Sequence, residues 1–278
     1  MNSFIGCENS YEESRIVLFG APYDGAASFR SGAKYAPSEI RKLCDEAIET
    51  YSPYQESDLE DINIHDFGDI EFRSDDPSKA VDEIERTVHR FVNDNKLPVM
   101  IGGDHLVTFG SIKVLADKHP DLHIIHLDAH ADLRDSYHDN KLSHASVMRR
   151  AYDLVGDDRI YQFGIRSGEK EEFEWAKGKV HMHKFDCNGL SEAINAIANK
   201  PVYLSIDIDV LDPSEMPGTG TPEAGGISFK ELLDSVLSLR GCNIVGADIT
   251  ELSPPRDPDG ISTITACKLL RELLLAIA

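Results

Sequence analysis

The sequence predicts an α/β fold organised around a mostly parallel sheet. Short β-branched or apolar runs alternate with longer, helix-patterned stretches about eight times along the 278 residues, which is the rhythm of βαβ units. Several of the runs are apolar almost throughout, as strands covered on both faces require. Acids and imidazoles then fall directly behind those runs, on the side where parallel sheets bind ligands.

In chain order, the strand candidates are Arg15–Gly20 (RIVLFG), Ile62–Phe67 (INIHDF), Leu97–Ile101 (LPVMI) and Leu122–Leu127 (LHIIHL). Four more follow: Arg159–Ile165 (RIYQFGI), Lys179–Lys184 (KVHMHK), Pro201–Ile206 (PVYLSI) and Asn243–Ile249 (NIVGADI). Among the helices, Pro37–Thr50 opens on Pro-Ser and continues EIRKLCDEAIET. Pro77–Asn93 spaces Ala80, Val81, Ile84, Val88, Phe91 and Val92 at helical intervals. Ser228–Leu239 opens with S-x-x-E, a capping-box pattern. The C-terminal CKLLRELLLAIA reads as a helix apolar on one side. No repeat, low-complexity tract or linker interrupts the series, so one domain over residues 1–278 is expected. Pattern alone fits either a closed eight-unit barrel or an open, doubly wound sheet, and both put ligands beyond the carboxyl ends of the strands.

Composition narrows the partners. With 28 Lys and Arg against 49 Asp and Glu, the formal charge is −21. Such a chain repels phosphate backbones and anionic membrane surfaces and attracts cationic small molecules. Neither a nucleic acid nor a membrane is expected as a partner. The five cysteines, Cys7, Cys44, Cys187, Cys242 and Cys267, form no C-x-x-C pair. Wide spacing in a chain this long points to reduced thiols and a cytoplasmic location. The start, MNSFIGCENSYEESR, has neither the basic opening nor the apolar run of a signal peptide. No segment approaches the ~20 continuous apolar residues of a membrane span.

The chemistry sits behind four strands. LPVMI is followed by Gly102-Gly103-Asp104-His105 and LHIIHL by Asp128-Ala129-His130-Ala131-Asp132. PVYLSI is followed by Asp207-Ile208-Asp209, and NIVGADI by Thr250-Glu251-Leu252-Ser253-Pro254. In extended chain, residues two apart point the same way. Asp128, His130 and Asp132 therefore share a face, as do Asp207 and Asp209. Read singly, GGDH fits a tight turn with a capping Asp, and D-x-D fits solvated strand-end acids. Together they describe four carboxylates meeting in one cleft. Two unit charges ~4 Å apart repel by about 4 kcal/mol at an effective dielectric of ~20. Bound cations or raised pKa values must relieve that repulsion. Two imidazoles beside four carboxylates suit Mn²⁺ or a similar ion, and six ligands with shared carboxylates suit two metals ~3.5–4 Å apart.

GAPYDGAASFRSGA, GGDH, HLDAHADLR, SIDIDVLDPSEMPGTGTPEAGG and DITELSP, in this order from about Gly20 to Pro254, resemble the ureohydrolase family of arginases and agmatinases. The resemblance implies a three-layer αβα fold with an open, mostly parallel eight-stranded sheet rather than a barrel. It also implies two Mn²⁺ per chain and hydrolysis of a guanidinium group to an amine and urea by a metal-bridging hydroxide. Carried over residue by residue, His105 and Asp132 would hold one manganese, His130 and Asp209 the other, and Asp128 and Asp207 would bridge. Asp104 is equally readable as a partner behind His105 or as a turn cap. His144 matches the family's proton-shuttle histidine and Glu251 its guanidinium-binding carboxylate. Without the family, His144 reads as a polar residue at a helix start and Glu251 as a solvated loop acid. Family members also suggest a homo-oligomer, trimer or hexamer.

Other polar residues read as structural. His181 and His183 form an H-x-H that could bind metal, but with only Asp186 near, packing or a surface position is favoured. His123 and His126 lie inside a strand and should satisfy local hydrogen bonds. His65 and Asp66 lead into a turn at Gly68-Asp69, and Pro217–Gly226 (PGTGTPEAGG) is a loop that shapes the pocket wall or only returns the chain. The PGTGTPE wording and the LRDSYHDN stretch after D-x-H-x-D look more like the agmatinase branch than the arginase branch. Agmatine, a cationic guanidine without a carboxylate, suits an acidic cleft and would give putrescine and urea. Arg134 and Lys141 argue the other way, since either could meet a carboxylate such as that of guanidinobutyrate. Rival classes are another guanidine hydrolase (guanidinobutyrase or arginase), a single-zinc amide hydrolase or deacetylase, and a non-catalytic metal-binding protein.

Overall fold

The computed structural model describes residues 3–278. The chain runs β1 (Ile16–Gly20), α1 (Ala36–Ala47), β2 (Tyr51–Ser52), β3 (Ser57–Asp58), β4 (Ile64–Asp69), α2 (Pro77–Asn93), β5 (Leu97–Ile101), α3 (Val107–Lys118) and β6 (His123–Leu127). It continues with α4 (Val147–Val155), β7 (Ile160–Ile165), α5 (Lys170–Ala176), β8 (His181–Lys184), α6 (Leu190–Ile197), β9 (Val202–Asp207), α7 (Phe229–Ser238), β10 (Ile244–Thr250) and α8 (Ile261–Ile277). Eight strands form one sheet in the order β4-β1-β5-β10-β9-β6-β7-β8, and every pairing within it is parallel. The sheet is open, as the family resemblance implies, and the barrel is excluded.

The strands form because their residues are apolar on both sides. Leu18, Val99, Ile125 and Leu204 enter the core shared with α1, α7 and α8. Val17, Met100, Ile124 and Tyr203 enter the core shared with α2, α3 and α4. Two dry layers, one on each face of the sheet, make the three-layer architecture. Caps set the helix starts: Asp76 accepts from the Ser78 N–H ahead of Pro77, and Ser228 and Glu231 form the expected reciprocal capping box.

Two expectations change. The C-terminal helix is buried on all sides from Leu269 to Ile277, not on one side only. The small antiparallel ribbon of β2 and β3, which pattern reading does not contain, reaches this helix at Glu272. Ser52 and Gln55 from that ribbon donate to the buried Glu272 carboxylate, each at 2.7 Å, and Arg271 pairs with its other oxygen. Four polar groups thus let a helix bearing two charges enter the core. The turn expected at Gly68-Asp69 is instead the end of β4, where the pairing register with β1 shifts. Asp66 there holds the buried Arg41 through two oxygens, at 2.7 and 2.8 Å.

The sheet order matters most for function. Strands β5, β10, β9 and β6, from four distant parts of the chain, lie side by side at its centre. Their last apolar residues are level: Ile101 pairs with Ile249, Ile249 with Ile206, and Ile206 with Leu127. All four chemistry-bearing segments therefore leave the sheet from one row.

Candidate metal centre

One step past that row stand Asp207, at the end of β9, and Asp128, just beyond β6. Both are buried. Side-chain alternation then returns His130 and Asp209 to the same side, and the loop after β5 brings His105 in from across β10. GGDH makes the approach possible because a Cβ on Gly103 would lie 1.8 Å from the Tyr23 carbonyl oxygen. Asp104 caps this turn by accepting from the Leu106 N–H at 3.1 Å, and it also holds the Ala26 N–H at 2.8 Å. Asp132 completes the group with a left-handed backbone, φ +53°, a conformation that costs a non-glycine residue about 1–2 kcal/mol.

The side chains gather in two groups joined by Asp128. His105 Nδ1 faces Asp128 Oδ2 at 3.1 Å, Asp132 Oδ2 at 3.1 Å and Asp207 Oδ2 at 3.3 Å. His130 Nδ1 faces Asp209 Oδ2 at 3.1 Å and Asp128 Oδ1 at 3.5 Å. All six predicted ligands thus come together, and the two oxygens of Asp128 point to different imidazoles. Asp207 belongs to the His105 group, while its Oδ1 accepts from the Asp209 N–H at 2.9 Å. Among the described residues, two clusters of at least three His or Asp groups are close enough to hold a metal ion, and both include Asp128.

A cation fits this arrangement on its own chemistry. Ser205 Oγ donates to Asp248 at 2.7 Å, so it accepts from His105 Nε2 at 3.0 Å. With its proton on Nε2, His105 directs a lone pair from Nδ1 at three carboxylate oxygens. That Nδ1 and Asp209 Oδ2 are buried without a hydrogen-bond partner. Buried polar atoms are rarely left in this state, and a cation in each group would satisfy the one that group holds. The titration directions agree. Burial works against a charge on His105, yet Asp128, Asp132 and Asp207 outweigh it and push its pKa well up. Burial, with Asp209 and Asp128 beside it, pushes Asp207 well up. Burial also works against the Asp128 charge, but His126, His105 and His130 hold its pKa well below the usual carboxylate range. The centre strongly favours positive charge at its middle.

His144 and Glu251 line the same cleft, which holds about 290 Å³ and is bordered by Ser28, Arg134, Tyr137, Glu169, Glu172 and Thr221 among others. Glu251 takes a left-handed backbone, φ +65°, and its Oε1 accepts from the His105 N–H at 2.7 Å. Burial and the neighbouring Asp104 push its pKa well up. Asp104 itself is pushed up to about 7, chiefly by burial. Burial lowers the His144 pKa from its ordinary value, so the imidazole is neutral near pH 7.

Several features escaped the sequence reading. His126 makes the local bond expected of it, Nε2 lying 2.8 Å from Asp128 Oδ2, but that bond reaches a candidate ligand and the ring is also held from a strand distant in sequence. Gln162 donates to the Ala131 carbonyl at 2.7 Å and to His126 Nδ1 at 3.0 Å, so His126 Nε2 carries the proton and donates to Asp128. The signal was available in the H-x-D spacing, since residues two apart on a strand share a face. Arg134 is engaged rather than free, with Nη1 2.8 Å from Glu169 and Nε 3.5 Å from Glu172. Lys141 is largely exposed and lies 3.8 Å from Asp135. His181 and His183 stack on Tyr161 and Phe163, with ring centroids 4.5 and 4.7 Å apart. His123 bonds the Asp121 carbonyl. The Pro217–Gly226 loop supplies cleft wall at Thr221 and is clamped by Arg30, which donates to the Thr219 and Gly220 carbonyls.

Comparison with known proteins places the chain in a family. Residues 14–276 match the family model described as the Arginase family. An agmatinase of Bacillus cereus is 45% identical over 276 residues, 98% of this chain and 95% of that one. A guanidinobutyrase of Pseudomonas aeruginosa is 32% identical, over 94% of this chain and 86% of its own. The crystal structure of agmatine ureohydrolase from Thermoplasma volcanium superposes with a TM-score of 0.91 at 36% identity, covering 100% of this chain and 94% of that one.

Proposed function

The chain belongs to the arginase family and is an amidinohydrolase, and from that premise we propose that it hydrolyses agmatine to putrescine and urea at a two-manganese centre. The observation that carries the reading is the lone pair of His105 Nδ1 directed at three carboxylate oxygens. His105 and Asp132 would hold one Mn²⁺, His130 and Asp209 the second, with Asp128 and Asp207 shared. When bound, the pair supplies a water activated for attack near neutral pH.

The remaining work falls to the chain. Glu251 orients the substrate: one carboxylate oxygen is fixed by the His105 N–H, and the other is available to the planar guanidinium in a charge-assisted bond. Its raised pKa reflects a buried carboxylate that lacks a cation, which the guanidinium provides. His144 takes up a proton at Nε2 and delivers it to the leaving amine, a task suited to an imidazole that is neutral at rest. His126, held by Gln162, keeps Asp128 aligned between the two groups.

Agmatine is favoured over carboxylate-bearing guanidines because Arg134 is already matched by Glu169 and Glu172 and Lys141 does not line the cleft. The bacterial agmatinase relatives support the same choice. The same reading takes residues 1–278 as a single domain working in the cytoplasm in a homo-oligomer. Among the described residues, no helix is long and apolar enough to cross a membrane. The test is urea release with added Mn²⁺ from agmatine, arginine and guanidinobutyrate. Agmatine should lead the panel, and preferred turnover of guanidinobutyrate or arginine would reassign the substrate.

A further inference from the structure

The loop between β1 and α1 holds none of the centre's acids, yet it meets both ring nitrogens of His144. Nδ1 lies 2.7 Å from the Ala26 carbonyl oxygen. A carbonyl only accepts, so Nδ1 carries the proton and Nε2 carries the lone pair. Ser143 Oγ lies farther from Nδ1, at 3.4 Å. Nε2 lies 3.1 Å from Ser28 Oγ, so the Ser28 hydroxyl donates to it. Ala26 is itself anchored on its other side, because its N–H is held at 2.8 Å by the buried Asp104. Downstream, Asp24 accepts from the Gly32 N–H at 2.8 Å, and Arg30 ties the loop to the Thr219 and Gly220 carbonyls. A loop this well anchored can hold a ring to one orientation and one tautomer.

We propose that Ser28 is a positioning residue for His144, an inference that rests on the reading of His144 as the proton carrier. A hydroxyl both donates and accepts. Ser28 donates to Nε2 while the imidazole is neutral and accepts from it once Nε2 is protonated. The ring therefore keeps its partner through a proton cycle without turning. The charged groups facing His144 from the other elements, Asp132, His130 and His105, set how readily it takes a proton but make no hydrogen bond that fixes the ring. Tyr137 packs its ring edge-on, with centroids 5.7 Å apart, and limits tilt rather than tautomer. Ser28 stands on the cleft wall and is itself exposed, so substrate and water reach Nε2 past it.

The experiment pairs a structural readout with a kinetic one. Nitrogen-15 spectra of the histidine rings, recorded with diamagnetic Mg²⁺ in place of manganese, should show neutral His144 protonated on Nδ1 in the wild type. In Ser28→Ala the Ala26 carbonyl should keep the proton on Nδ1, while the Nε2 resonance should shift as it loses its hydrogen-bond donor. Kinetically, Ser28→Ala should lower kcat about tenfold, with KM for agmatine within about twofold and metal content unchanged, and Ser28→Thr should restore kcat to within about threefold of wild type. A wild-type ring protonated on Nε2, an unchanged kcat in Ser28→Ala, or a threonine variant no better than alanine would each overturn the proposal. The tautomer readout needs no substrate. If the wild type releases no urea from any guanidine, the functional reading falls while the spectra still decide whether the loop fixes His144.

Discussion

Replacing Glu251 by Gln isolates one charge at the substrate end of the centre. The side chain is buried, and its Oε1 bond from the His105 N–H at 2.7 Å survives in the amide. Shape is kept and only the carboxylate charge is lost. A guanidinium ~4 Å away interacts with that charge by about 4 kcal/mol at an effective dielectric of ~20. Removing one partner of a buried, hydrogen-bonded charge pair costs about 2–5 kcal/mol in measured complexes. The two routes converge on a loss of roughly 10²–10³ in kcat/KM, since 1.36 kcal/mol is tenfold. Urea release under saturating Mn²⁺ reads it directly. The metal-free protein should move the other way. Burial raises the folded pKa of Glu251 above an unfolded value of about 4.3. The protonated group's contribution to stability is therefore full below that value and is lost as pH rises through the raised folded one. At neutral pH the wild type carries that penalty and the glutamine variant does not, so the variant should unfold at an equal or higher temperature. A variant within about threefold of wild-type kcat/KM would refute Glu251 as the guanidinium partner. A variant that loses both activity and stability would show that the carboxylate serves the fold instead.

Three further outcomes follow from the same geometry. Asp128→Asn should lose metal and activity together, because both carboxylate oxygens face an imidazole; full activity with two bound ions, measured by elemental analysis, would contradict the bridging role. Glu169→Ala removes the nearer partner of Arg134 and should raise the guanidinobutyrate-to-agmatine ratio of kcat/KM about two- to fivefold, the worth of roughly one partly exposed charge pair; an unchanged ratio would remove Arg134 from substrate selection. Gly103→Ala places a methyl against the Tyr23 carbonyl and should cost about 1–3 kcal/mol or more in urea unfolding; a neutral result would mean that the turn is looser than described.

The sheet was legible because its signal is local. All eight long strands lie within two residues of their expected bounds, since apolar runs and turn residues are read within a short window. The centre was legible for a related reason: D-x-H-x-D and D-x-D sit at strand ends, and a period of two fixes which side chains share a face. What escaped depends on distant partners. Nothing near Arg134 announces that Glu169 and Glu172 will pair with it across a loop. Ser28 and His144 are 116 residues apart and meet only because β1 and β6 both empty toward the same cleft. The ribbon of β2 and β3 has two residues per strand, too few for any period, and so the partners that Ser52 and Gln55 give the buried Glu272 were hidden with it.

The central claim is that six side chains from three strand ends hold two divalent ions around Asp128. Elemental analysis of the purified protein together with diffraction at the manganese absorption edge addresses it directly. The account predicts two anomalous peaks about 3.5–4 Å apart, one beside His105 and Asp132 and one beside His130 and Asp209. A single peak, or full agmatine turnover in protein with one ion per chain, would contradict it.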